Sequence, residues 1–342
     1  MSNHNNENGT TSEPPATSST VDDSIMDSPL KHAEMDHHGV HTDPTALRDL
    51  TEAAKQESTE AGPDGGVLGY KPGRTLRLNV EFRRQIKRRR TQLVLGFVAL
   101  LPFILVIAFE VGQDSPNRKS GGFVDLATAS APNFVVLTLF VSGTFLLPMI
   151  VALFFGDTIA SESSWSSLKY LLAIPVPRAR LLRQKALVST MLSAGALVLL
   201  PLVALIVGIF WYGAGSAISP TGDSVSFQRS LVVLLVATIY IVIQLAWVAG
   251  LALLLSVATD APLGAVGGAV LAAILSQILD QITAMGGIRD YLPTHFSFSW
   301  MDLIAADIDW TNIANGVLSS VIYAVVFLAL AARRFTTKDV TS

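Results

Sequence analysis

The chain has 342 residues, half of them hydrophobic and only 15% charged, with a net charge of −3 and a mean hydropathy of +0.48. Soluble domains carry roughly 25% charge, so this balance excludes an ordinary soluble fold. The absence of cysteine excludes a disulfide framework and any thiolate metal site.

Residues 1–73 are rich in Ser, Thr, Asn, Pro, Asp and Glu and show no sustained apolar period. Such a stretch cannot bury enough apolar surface to offset its ordering entropy, which predicts a disordered tail. No charged start followed by an apolar core stands at the N-terminus, so no signal peptide is expected. His37, His38 and His41 lie beside Asp36 and Asp43. A segment without fixed surroundings cannot orient them as ligands, so no metal site is expected.

Residues 74–90 hold eight cations against a single acid, Glu81. Leu78, Phe82 and Ile86 fall at helical spacing on one face, flanked by Arg83, Arg84 and Lys87. This predicts an interfacial elbow helix whose apolar stripe enters the headgroup region while its cations meet anionic lipid. A plain cationic stop before the first span explains the charges equally well. A nucleic-acid patch is set aside, because the basic run abuts an apolar one.

Six apolar runs follow, at about 93–109, 134–155, 187–211, 231–257, 263–282 and 313–332. Each approaches the ~20 residues a helix needs to cross a ~30 Å hydrocarbon core. Lys and Arg concentrate before the first span, in the Gly156–Ala186 segment and after the last span, and are sparse in the other loops. The positive-inside rule then predicts a multi-pass protein of the cell membrane with both termini cytoplasmic. Within the spans, Gln244 and Gln277 suggest interhelical hydrogen bonds. Gly264 and Gly268 suggest a close contact inside the chain or a dimer seam. Residues 283–311 combine Tyr291, Phe296, Phe298, Trp300 and Trp310 with four acids; the segment reads either as an interfacial anchor or as a partly re-entrant hairpin.

The segment between the second and third spans is the most distinctive. Asp157 and Glu162 precede an apolar stripe of Trp165, Leu168, Leu171 and Leu172, with Lys169 beside it. Pro175 then breaks the stripe, and Arg178, Arg180, Arg183 and Lys185 follow. The spacing predicts a short helix over 161–172, with Ser161 or Ser163 as N-cap and Glu162 near the positive end of its dipole. Such a helix either docks in a groove on a partner or rests on lipid headgroups.

No G-x-x-x-x-G-K-[ST], H-E-x-x-H or G-x-S-x-G occurs, so neither nucleotide binding by that loop nor hydrolysis by those devices is expected of this chain. The run D-x-I-A-x-E, then S-L-K-Y-L-L-A-x-P-V-x-R-x-x-L-L-x-x-K, with the closing Phe335 and Asp339, resembles the permease subunits of ABC-2 type exporters over about residues 76–340. Ser166–Ser167 departs from the Gly-Thr usual there.

The resemblance implies an all-α membrane domain over 74–342, with six transmembrane helices, an elbow helix and a cytoplasmic coupling helix. It implies that Asp157, Glu162, Trp165, Leu168, Lys169, Leu171, Leu172, Pro175, Arg178 and Lys185 form the docking loop for a separate ABC ATPase subunit. ATP and Mg would be bound by that partner, with no cofactor in this chain. A second copy, or a paralogous permease, would complete the transporter, whose cargo would be hydrophobic or amphiphilic. The alternative is a membrane-anchored regulator or scaffold acting through its polar tail.

Overall fold

The computed structural model describes residues 77–113, 123–164, 178–218, 222, 224–305 and 308–337. The chain divides into two units, 1–60 and 61–342, and the description concerns the second. The expected disordered tail, 1–73, lies outside the described residues, as do Trp165, Leu168, Lys169, Leu171, Leu172, Pro175 and Asp339.

A short helix α1, Leu78–Ile86, turns at Lys87–Arg88 into α2, Arg89–Gln113. α3, Phe123–Ala127, leads to α4, Ala131–Gly143, and α5, Leu146–Ser164. α6 runs from Arg178 to Tyr212. Its 35 residues extend about 52 Å at 1.5 Å per residue, well beyond a hydrocarbon core. A two-residue hairpin pairs β1, Ala217–Ile218, with β2, Ser224–Val225. α7, Phe227–Gln244, and α8, Ala246–Ala258, are followed by α9, Pro262–Asp280. Two 3-10 helices, Thr283–Tyr291 and Ser299–Ile304, precede α10, Trp310–Thr337.

Six helical stretches are long and apolar enough to cross a membrane, as the hydropathy pattern predicts. Two of the six spans are interrupted where the sequence reads as continuous. The second is broken at Thr144–Phe145, between α4 and α5, and the fourth at Leu245, between α7 and α8. At the first break Gly143 stands alongside and Pro148 lacks the N–H that would bond the Thr144 carbonyl, which accepts from Gln277 instead; at Leu245 neither flanking residue is proline or glycine.

α5 is the hub. Within its apolar window 72% is buried, against 17% for α2 and for α10. It packs on α6, α8 and α9. Gly156 makes the approach to α9 possible, because a Cβ there would come within 3.1 Å of the Val266 backbone nitrogen. The outward faces of α2, α9 and α10 carry exposed aliphatics such as Ile107, Leu275 and Val325, as helices bathed in lipid do.

The expected capped helix starting at Ser161 or Ser163 is corrected. α5 continues through both residues to Ser164. Ser161 Oγ donates to the Asp157 carbonyl, one turn back, instead of capping a new helix. The helix persists because Ile159 and Ala160 extend its buried face, and their amides both lie 3.0 Å from Ser256 Oγ on α8. Glu162 therefore lies well past the N-terminal turn of α5, where the helix dipole gives a carboxylate no support and cations must offset its charge.

Candidate functional site

Those cations arrive from two other elements. Lys185, in the second turn of α6, is 3% exposed, and its Nζ donates to Glu162 Oε1 at 2.5 Å; Glu162 is 6% exposed. Arg84 on α1 reaches the same Glu162 oxygen at 3.2 Å. Glu81, one turn earlier on α1, stands 3.4 Å from Lys185 Nζ and 2.9 Å from Arg84, and accepts from Gln85 Nε2 at 3.0 Å. Among the described residues, two carboxylates and two cations thus tie the elbow helix, α5 and the start of α6 into one cluster.

Buried charges are tolerated only when paired and hydrogen-bonded. Burial by itself works against the ionised Glu81 carboxyl. The Lys185 ammonium, the hydrogen bond from Gln85 and the Arg84 guanidinium outweigh that and hold it below the usual carboxylate value. A second, more exposed group lies one and a half turns earlier on α5, where Asp157 meets Arg90 at 2.6 Å and Arg88 at 3.7 Å.

α1 presents itself this way because its apolar stripe has a protein partner. Phe82 and Ile86 are half-buried against the helical core, while Leu78 lies at the exposed edge. Arg83 and Lys87 point away from the core and stay exposed. The other end of the bundle closes on the same side. Phe335 of α10 is buried in the core, and Arg178 donates to the Thr336 carbonyl at 3.3 Å. A cation there meets the negative end of α10.

Of the predicted loop residues, the structure brings Glu162 and Lys185 together, sets Asp157 against the turn between α1 and α2, and puts Arg178 on α10. All four lie on the stems that carry 165–177. Sequence reasoning missed Glu81, Arg88 and Arg90. The available signal was Glu81 itself, a lone acid in a cationic run with Arg84 and Gln85 three and four residues on.

On the opposite side, the segment 293–304 fills the bundle. Gln244, the last residue of α7, donates to the Pro293 carbonyl at 2.9 Å, and Tyr240 donates to Phe296 O at 2.6 Å. Ser276 and Thr294 share a 2.7 Å hydrogen bond, and Gln277 donates to Thr144 O, at the break in the second span, at 2.8 Å. Trp300 is 1% exposed, and Phe298 packs on Phe140. The aromatics of this segment therefore divide: Phe298 and Trp300 face inward, whereas Tyr291 and Trp310 are exposed. His295 closes the outer rim, with Nδ1 2.6 Å from Asp280 and Nε2 3.3 Å from Asp290. No group of three or more metal-ligating side chains occurs among the described residues.

Among protein families, the model described as ABC-2 family transporter protein matches residues 78–340, from the first residue of α1 to just beyond α10. Comparison with curated proteins gives no match.

Proposed function

The chain belongs to the ABC-2 family of transporter proteins and is a multi-pass membrane permease of an ABC transporter; from that premise we propose that it exports a hydrophobic or amphiphilic cargo, driven by a separate ABC ATPase that grips the 165–177 loop. ATP and Mg belong to that partner, and two permease chains, identical or paralogous, enclose the path. The loop and both termini face the cytoplasm of the cell, which the distribution of Lys and Arg supports.

The observation that carries this reading is the cluster of Glu81, Arg84, Glu162 and Lys185. A loop gripped by a motor transmits force only if its stems do not fray. Here both stems are helical, and buried ion pairs bind them to each other and to α1. Glu162, Lys185 and Asp157 are accordingly positioning residues; the exposed work of docking falls to Trp165, Leu168, Leu171 and Leu172. Movement of the loop passes into α5, the most buried span, and from there to α8 and α9. The interruptions at Thr144–Phe145 and Leu245 let the outer halves of two spans reorient against the inner halves.

The test is co-purification of the full chain with the ABC ATPases of its own cell, followed by ATP turnover of the complex in lipid. Replacing Trp165 and Leu168 together by Ala removes two apolar anchors and is expected to weaken retention of the ATPase by about tenfold or more. Retention and turnover equal to wild type would refute the docking assignment.

A further inference from the structure

Two cavities open on the face formed by α6, α7, α8 and α10, away from the ion cluster. The inner one, about 290 Å³, lies along α6 between Arg183 and Leu197. The outer one, about 390 Å³, lies along α6 between Ala194 and Leu205. Ala194 and Val242 line both, so the two form one continuous trough. Each volume is near or within the range of about 300–1,000 Å³ usual for small-ligand sites.

From Arg183 to Leu197 the helix rises about 21 Å at 1.5 Å per residue. That matches half of a ~30 Å hydrocarbon core plus the headgroup layer. The inner cavity therefore has the depth of one leaflet.

The wall is largely apolar, although Ser193 Oγ on the inner cavity is buried without a hydrogen-bond partner among the described residues. Its threonine hydroxyls are spent on their own helices, Thr190 on Ala186 O at 2.9 Å and Thr238 on Leu234 O at 2.7 Å. Among the described residues no acid lines either cavity. Arg183 at the mouth is exposed and forms no ion pair among the described residues. Asp157 and Glu162, the acids of the ion cluster, are engaged by Arg88, Arg90, Arg84 and Lys185. The contact of Arg178 with Thr336 brings the end of α10, with Arg333 and Arg334, to the same side of the bundle. The mouth thus sets one described cation, Arg183, over an apolar slot.

We propose that this trough binds an anionic phospholipid of the leaflet at the Arg183 end, one acyl chain lying along α6 and the headgroup phosphate on the Arg183 guanidinium. Arginine presents a planar fork of donors that suits a phosphate, and the described lining offers no carboxylate to a cationic headgroup. A second copy of the chain is a poorer occupant, because the described acids at this end of it are already paired. The site is independent of which cargo is exported.

The experiment titrates the full-length protein, in detergent, with phosphatidylglycerol or with phosphatidylcholine of the same chain length, and counts bound lipid by native mass spectrometry. Wild type is expected to hold phosphatidylglycerol about fivefold more tightly, the gain of one cation at a membrane surface. Arg183→Gln abolishes the preference and Arg183→Lys keeps most of it. Thr190→Phe, which fills the inner cavity from an exposed position, weakens both lipids. Equal affinity for the two lipids in wild type, a preference that survives Arg183→Gln, or unchanged binding in Thr190→Phe would each overturn the proposal.

Discussion

Removing the Lys185 ammonium is the sharpest test of the ion cluster. Lys185→Met leaves Glu81 and Glu162 sharing Arg84, whose side chain is half exposed and so is screened by water. Breaking a buried pair by removing one partner costs roughly 3–5 kcal/mol. Since Arg84 stays within 3.2 Å of both carboxylates, the low end, about 3 kcal/mol, is expected. Glu162→Gln leaves Lys185 with Glu81 at 3.4 Å, and about 2 kcal/mol is expected for the weaker remaining contact. The double variant retains only the neutral Glu81–Arg84 pair and no buried unpaired charge. It should cost about 2 kcal/mol in place of the ~5 that independent sites would give, a coupling near 3 kcal/mol.

The assay is equilibrium unfolding in mixed micelles for wild type, both single variants and the double variant. ATPase retention on the complex is measured in parallel. If the cluster positions the loop, Lys185→Met weakens retention and the added Glu162→Gln restores part of it. Additivity of the two substitutions within about 0.5 kcal/mol would refute the shared cluster.

Two further outcomes follow from the same geometry. Glu81 has its carboxyl held below the ordinary value of 4.5, so its contribution to stability is present above that value and is lost as pH falls through the lower folded value. The melting temperature of wild type should therefore exceed that of Glu81→Gln by a constant amount above pH 4.5, with the gap closing below it; a gap unchanged down to pH 3 would be inconsistent with the pairing. On the other side of the bundle, a Cβ at Gly316 would strike the Tyr240 hydroxyl and come within 2.8 Å of Phe296 Cβ. Gly316→Ala should cost about 1–3 kcal/mol and speed amide exchange over 293–300. Tyr240→Phe added to it should cost little more, and a Gly316→Ala variant as stable as wild type would show that the segment does not depend on this contact.

The number and order of the membrane-spanning segments were legible in the chain because a hydrocarbon core imposes a length and an apolarity that few other structures share. The family was legible too, since Asp157, Glu162, Pro175, Arg178 and Lys185 sit in a local pattern that resembles it. What each polar residue faces was not. Glu162 looked like the first turn of a coupling helix and instead belongs to α5, which Ser256, nearly a hundred residues away, supports at Ile159 and Ala160. Lys185 looked like one cation among five in that segment, yet it alone of the four described is buried, because α1 folds back to bring Glu81 against it.

Hydropathy and charge thus determined that the chain crosses a membrane six times and carries a basic, interrupted segment between its second and third crossings. Only the tertiary structure decided which of those cations lock the stems, which one stands open over an apolar trough, and which aromatics fill the bundle. The physical reason is that the period of a helix reveals its apolar face, whereas the neighbour that face meets is set by packing between segments far apart in the chain.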